Sequence, residues 1–141
     1  MSSNSRKRRS KKGASLIESA LAAVVLIPIA LATVDVMTLV FANSVNDTVA
    51  KNCARAGANQ PNGIAALQAA NKCLATFKTS GIVKTIVIDD LNYTGDDGQC
   101  ICKTTMVVNL PIPFPGFTSV TFSNRAVEAV VGKADADNPA P

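Results

Sequence analysis

The cysteines are the residues of this chain whose type and spacing most readily predict covalent chemistry. There are four among 141 residues, and they are Cys53, Cys73, Cys100 and Cys102. An even number of cysteines is typical of disulfide bonds formed in an oxidising compartment. Because a bridge within Cys100-x-Cys102 would be strained, we expect each of these two to pair with Cys53 or Cys73. The usual C-x₂₋₄-C repeat of a zinc site is missing, and a redox C-x-C site would have only Lys103 nearby to activate a thiolate.

The other polar side chains form no pattern that predicts catalysis. The chain has no histidine, which is both the commonest general base and the commonest zinc ligand. Its close carboxylates, Asp89, Asp90, Asp96 and Asp97, flank or occupy one turn, TGDDG at 94–98. They could gather around Ca²⁺, but their spacing matches no EF-hand loop, and two glycines flanking two aspartates are first of all a turn. We therefore predict a protein that is not an enzyme and has no cofactor, and leave calcium binding open.

Basic residues are concentrated at the N-terminus and define its topology. Six lie within the first twelve positions, whereas residues 14–141 carry eight basic and ten acidic side chains, a net charge of −2. The run RKRRSKK could bind nucleic acid. It has no interleaved aromatic residues, however, and it directly precedes an apolar stretch. We expect no nucleic-acid partner, and we interpret the run as the signal that keeps the N-terminus in the cytoplasm.

The apolar stretch after the basic run predicts a membrane-spanning helix. Residues 19–34 carry no charge, Asp35 interrupts the stretch, and apolar residues continue to Ala42. The first sixteen residues would rise about 24 Å as a helix, short of the roughly 30 Å hydrocarbon core, whereas all twenty-four would rise about 36 Å. We predict a span over about 16–42 with a kink at Pro28. Asp35 is expected to meet a cation or polar group on an adjacent subunit, or to snorkel.

Glu18, at the start of this stretch, distinguishes three interpretations of the N-terminus. A secretory signal peptide could be cleaved near the small residues at 30–32, but the apolar stretch is long for that role. A permanent anchor leaves the carboxylate unexplained, because a charge inside the bilayer costs a few kcal/mol. A prepilin cut after Gly13 explains it, since Glu18 would then be the fifth residue of the mature helix, close to the new α-amino group of Ala14 on the same or a neighbouring subunit. Such a pair would fix the axial register of identical helices.

The residues around this position resemble a known family. The octapeptide KKGASLIE at 11–18 resembles the processing site of type IV prepilins. The longer segment 13–58, with Glu18, Pro28, Asp35 and the terminal ARAGA, is similar to the N-terminal region of TadE-like proteins, the minor pilins or pseudopilins of tight-adherence (Tad/Flp) pilus systems. LPIPFPG at 110–116, followed by VTFSNRAVEAVV, resembles the Pro-rich turn and last strand of the same proteins.

This resemblance implies a life cycle for the protein. A prepilin peptidase would cleave between Gly13 and Ala14; whether Ala14 is then methylated is left open. The subunit would wait in the inner membrane, with its N-terminus in the cytoplasm and its C-terminal domain in the periplasm. It would then join other pilin subunits at an inner-membrane assembly platform. The chain is longer than the very short major pilins of Tad systems, which favours a minor subunit. The alternative is a single-pass, membrane-tethered periplasmic domain that does not polymerise.

Hydrophobic periodicity predicts an α+β fold for the remainder. The first helix continues to residue 58, with Val45, Val49 and Cys53 on one apolar stripe. Breaks by Pro and Gly follow, then a second helix at 64–78 and three strands at 82–88, 99–110 and about 118–131, the middle one ended by PIPFPG. The domains are therefore a basic leader at 1–13, a long helix at 14–58, an extracytoplasmic α+β domain at 59–132 and a flexible tail at 133–141.

Overall fold

A computed structural model gives the conformation of residues 7–77, 81–94, 98–114 and 117–131, with side chains described from Ser15 onward except that of Phe114. The predicted α+β fold is confirmed: one very long helix, a short helix and three antiparallel strands. In chain order they are α1 (Lys7–Ala58), α2 (Gly63–Thr76), β1 (Val83–Thr94), β2 (Gln99–Phe114) and β3 (Phe117–Ala129). The expected tail at 133–141 lies outside the described residues.

The first helix is long enough to serve two environments. Its 52 residues correspond to about 78 Å at 1.5 Å per residue. It begins at Lys7, within the basic run, rather than at the expected Ala14. It also continues through Pro28. Because proline has no amide hydrogen, the carbonyl of residue 24 lacks its helical donor. A kink at Pro28 remains a prediction.

The short helix packs through small residues. Asn62 caps it, because its side-chain oxygen accepts a hydrogen bond from the Ala65 amide at 2.9 Å. The buried residues of α2 are Ala66 and Ala70, which allow close approach to α1. The larger side chain of Ile64 is 77% exposed. The face of α2 that packs against α1 is therefore the alanine face, and Ile64 lies outside it.

The sheet has the order β1-β2-β3, so β2 is the central strand. Side chains alternate along β2, and those that face inward are all buried, namely Cys100, Cys102, Thr104, Met106 and Val108. They pack against the C-terminal half of α1, where the core cluster contains Val49, Ala50, Cys53 and Ala54. The sheet therefore depends on α1 for its core.

Two strands run further than expected. β1 extends to Thr94. The register of its pairing with β2 shifts between Ile88 and Asp90, and the pairing continues beyond this shift. The predicted end of β2 at residue 110 is four residues too early, since the strand reaches Phe114, within PIPFPG. The pairing with β3 is irregular between Asn109 and Phe114, so Pro111 and Pro113 fall where no regular ladder donor is required.

Candidate functional site: the exposed helix segment and its junction with the sheet

The N-terminal half of α1 presents apolar side chains to its surroundings. Every residue from 15 to 31 is exposed; Leu16 is 73% exposed and Val24 69%. A surface of this size on one helix is far beyond the scattered exposed apolar residues of ordinary soluble proteins. We call residues 15–31 the exposed apolar segment. The helix that contains it is long and apolar enough to cross a membrane.

Three hydroxyl groups in and beside this segment are already bonded within the helix. Ser19 donates to the carbonyl of Ser15 at 2.9 Å, Thr33 to that of Ile29 at 2.8 Å, and Thr38 to that of Val34 at 2.9 Å. Such bonding to the carbonyl four residues earlier satisfies a hydroxyl without water. These side chains therefore add little cost to a transfer of the helix into an apolar environment.

Glu18 is the carboxylate of the exposed apolar segment. Its side chain is exposed, and among the side chains that the structure describes it has neither an ion pair nor a hydrogen-bond partner. The nearest cationic candidate by sequence is the α-amino group that cleavage would create at Ala14. Gly13 and Ala14 lie in the backbone of α1, and their side-chain surroundings fall outside the description. The structure thus leaves Glu18 available for an external partner.

A stripe on α1 turns from exposed to covered at residue 32. Residues spaced three and four apart are partly or fully buried along the sheet side, namely Ala32, Asp35, Leu39, Ala42, Asn46, Val49 and Cys53. This spacing keeps one face of a helix in continuous contact with a partner. We call these residues the covered stripe. The two halves of α1 are therefore different: one carries apolar surface outward, the other forms a layer of the folded domain.

Asp35 marks the N-terminal end of this contact. Its side chain is only 8% exposed, and its Oδ1 accepts a hydrogen bond from the Ile112 amide at 3.2 Å. The sequence predicts that Asp35 either snorkels or meets a cation or polar partner on an adjacent subunit. The structure instead provides one within the chain, because β2 runs back along α1 and brings its far end to residue 35. A buried carboxylate is stabilised by such a backbone donor.

Asn46 forms a second polar contact across the same interface, which the sequence patterns did not reveal. It is fully buried. Its Oδ1 accepts a hydrogen bond from the Thr104 hydroxyl at 3.0 Å, and its Nδ2 donates to the carbonyl of Phe122 at 3.3 Å. The available signal was a lone amide at a stripe position four residues after Ala42. This side chain joins α1 to both β2 and β3.

The cysteines lie where α1, α2 and β2 meet. Cys53 and Cys102 are buried in one core cluster, and Cys73 packs against that cluster. Cys100 faces Gly57 of α1 instead: a Cβ at Gly57 would lie 2.9 Å from the Cys100 sulfur. All four cysteines are thiols in this structure, so the predicted disulfides stay predictions. The arrangement favours the pair Cys53–Cys102 among the possible ones.

The surroundings of the thiols differ in polarity. Burial raises the pKa of Cys73 and that of Cys100, because the charged thiolate is less well solvated there. Hydrogen bonding with Cys53 lowers the pKa of Cys102. Cys102 is nevertheless fully buried, and a buried thiol is inert toward outside reagents.

The carboxylates of the predicted turn are only partly described. The side chain of Asp89 accepts a hydrogen bond from the Thr105 hydroxyl, while Asp96 and Asp97 lie outside the described residues. Within the described ranges, no three His, Cys, Asp or Glu side chains converge in a way that could hold a metal ion. The calcium question therefore concerns residues 95–97.

Comparisons with protein-family models, with characterised proteins and with solved structures gave no match. The resemblance to TadE-like proteins accordingly stands on the quoted residues.

Proposed function

We propose that this protein is a minor pilin or pseudopilin subunit of a Tad-like pilus or secretion filament, and that it has no enzymatic activity. The observation that carries the proposal is the exposed apolar segment, which bears one carboxylate and continues without interruption into the helix that forms the core of a small domain. The TadE-like residues at 13–58 support the same reading.

The division of α1 suits a subunit that exists in two environments. In the membrane, lipid would cover residues 15–31. In a filament, the corresponding helices of neighbouring subunits would cover them. Burial of apolar surface is favourable by about 25 cal/mol per Å², so a helix exposed along this whole segment supplies a large driving force for packing against its neighbours. The domain, held rigidly to residues 32–58, would then lie on the outside.

Glu18 would determine how these helices align. A carboxylate among apolar helices is costly unless a cation is close. After cleavage at Gly13, the α-amino group of Ala14 is such a cation, and it lies one helical turn from Glu18. Pairing between subunits would be possible at one axial offset only, which gives the carboxylate its proposed role in register.

The proposed location follows from charge and chemistry. The basic leader would keep the N-terminus in the cytoplasm, so the domain with its four cysteines would lie in the periplasm, where disulfides form. The proposed partners are a prepilin peptidase, other pilin subunits, the inner-membrane assembly platform and membrane lipid.

The N-terminal residue of the mature protein tests this proposal. The full-length chain would be expressed with a prepilin peptidase and, separately, without it, and the membrane-bound product sequenced from its N-terminus. We expect Ala14 with the peptidase and Met1 without it. An intact leader in both cultures would support the membrane-tethered alternative, and a terminus near residue 33 would support secretion.

A Gly13 variant provides the matched control. Replacing Gly13 by a bulky residue such as Leu should leave the precursor uncut, because the peptidase site would no longer fit. A substitution two residues beyond the bond, Ser15→Ala, should be processed normally. Normal processing of G13L would place the scissile bond elsewhere and contradict the proposal.

A further inference from the structure

The far end of the β2–β3 hairpin lies beside the boundary of the exposed apolar segment. The hydrogen bond from Ile112 to Asp35 fixes this position, and Ala32, one turn before Asp35, is partly buried. Beyond Ile112 the hairpin presents Pro113 and Phe117 outward, and Phe117 is 68% exposed. We call the exposed residues Pro111, Pro113 and Phe117 the tip surface.

The composition of this hairpin end suits an apolar environment. Residues 104–124 contain no charged side chain, and the nearest charges are Lys103 and Arg125. Pro111 and Pro113 have no amide hydrogen, so the Ile112 amide is the one backbone donor between them. Asp35 accepts that donor. An unsatisfied donor is the main obstacle to placing irregular backbone in lipid. Between Pro111 and Pro113 no donor is left unsatisfied, because the prolines have no amide hydrogen and the Ile112 amide is bonded to Asp35.

The length of α1 places the tip surface at the height of a membrane interface. Residues 15–34 rise about 30 Å, which equals the thickness of a hydrocarbon core. The covered stripe begins where this length ends. If the exposed apolar segment crosses the membrane, Asp35 is therefore at its outer boundary, with the tip surface beside it.

We infer that the tip surface inserts into the interfacial region of the outer leaflet and contacts lipid directly. The hairpin end and the helix would form one continuous apolar surface, and the span would end near Val34 rather than Ala42. This inference rests on the insertion of α1 in a membrane, which is one step of the proposed function. It does not require polymerisation.

Single tryptophan variants can measure this contact, because the chain contains no tryptophan. F117W reports on the tip surface. V24W reports on the middle of the exposed apolar segment. I64W, at a position 77% exposed, reports on the opposite end of the domain. Ile64 follows the C-terminal end of α1, which is about 35 Å from Asp35 along the helix axis. Each full-length variant would be reconstituted in phosphatidylcholine–phosphatidylglycerol vesicles with brominated lipids, after circular dichroism has shown equal helix content.

The inference predicts a distinct result for each position. F117W should show blue-shifted emission and a quenched fraction several-fold above that of I64W, with bromine near the headgroup quenching more than bromine near the chain end. V24W should show the reverse depth preference. I64W should respond mainly to the aqueous quencher acrylamide.

Two outcomes would overturn the inference in different ways. If V24W is quenched by deep bromine but F117W is quenched no more than I64W, the helix crosses the membrane and the tip surface does not touch lipid. The inference also fails if F117W is shielded from acrylamide but is not quenched by brominated lipid, because a protein neighbour then covers it. If V24W itself is not quenched, the membrane insertion of α1 fails, and the tip contact fails with it.

Discussion

The carboxylate of Asp35 and the backbone amide of Ile112 are joined by a hydrogen bond of 3.2 Å, although 77 residues separate them in the chain. The bond connects the middle of α1 to the end of β2. It lets an aspartate be buried within an apolar helix, and it gives a partner to an amide placed between two prolines. The carboxylate gains a donor and the amide gains an acceptor, so each group recovers a hydrogen bond that it loses on leaving water.

Replacing Asp35 should release the hairpin end. D35L removes the acceptor and leaves the Ile112 amide unpaired, which should cost about 1–3 kcal/mol of unfolding free energy. D35N keeps a carbonyl oxygen in the same place and should cost less than about 1 kcal/mol. Urea unfolding of the full chain in detergent would measure both. Hydrogen exchange at Ile112 should accelerate in D35L much more than in D35N, and equal exchange in the two would mean that the bond is not formed.

The Asn46–Thr104 bond should behave as a coupled pair. T104V leaves the Asn46 Oδ1 without its donor in a buried site and should cost about 1–3 kcal/mol. N46L alone should cost a similar amount, since it strands the Thr104 hydroxyl. The double variant should lose less than the sum of the two single losses. Additive losses in a double-mutant cycle of urea midpoints would argue against the contact.

Gly57 is required by the close approach of Cys100. Alanine normally stabilises a helix by about 1 kcal/mol relative to glycine. At this position its Cβ would lie 2.9 Å from the Cys100 sulfur, so G57A should destabilise the reduced protein by about 1–3 kcal/mol through overpacking. Removing the sulfur in G57A/C100A should recover much of the loss. If G57A were stabilising, helix and strand would be further apart than described.

The thiol arrangement predicts one disulfide pairing over the others. In oxidised full-length protein, tryptic digestion without reductant should yield peptide 52–55, which contains Cys53, bonded to peptide 85–103, which contains Cys100 and Cys102. Because Cys102 shares the buried cluster of Cys53 whereas the Cys100 sulfur faces Gly57, the bonded pair should persist in C100S and disappear in C102S. Mass spectrometry identifies both species. Persistence of the linkage in C102S would assign it to Cys100.

Glu18 should affect assembly and leave insertion intact. E18Q removes the charge that we propose to pair with Ala14, so helices would lose the interaction that sets their register. We expect normal amounts of processed protein in the membrane and a strong reduction in sheared filament fractions. S19A, an adjacent change that removes only an internally bonded hydroxyl, serves as the control. Unaltered filament incorporation of E18Q would count against the proposed role of Glu18.

Local patterns sufficed for much of the fold. The inward residues of β2 follow a period of two, and Val45, Val49 and Cys53 of α1 follow helical spacing, so both could be assigned from sequence. These signals are local because each element shows its buried face in its own sequence. The C-terminal end of α1 was likewise visible, because its pattern stops before Pro and Gly, whereas its start at Lys7 lies before the expected Ala14.

The polar contacts could not be predicted in the same way. Asp35 and Asn46 receive their partners from β2 and β3, more than fifty positions away, and no local rule pairs them. The prolines near 111–115 suggested a break because proline cannot donate to a ladder. They were compatible with a strand because the register is irregular there and Asp35 replaces the missing partner of Ile112.

The shared use of α1 has a mechanical consequence. Since residues 32–58 belong to the core of the domain and α1 is one helix from Lys7 to Ala58, no loop separates the exposed apolar segment from the part of the helix that carries the sheet. Apart from bending at Pro28, a turn or tilt of the exposed apolar segment is therefore passed on to the whole domain. The orientation of the outer surface is thus set from within the bilayer or bundle, and a truncation that reaches into residues 32–58 would remove part of the domain's own core.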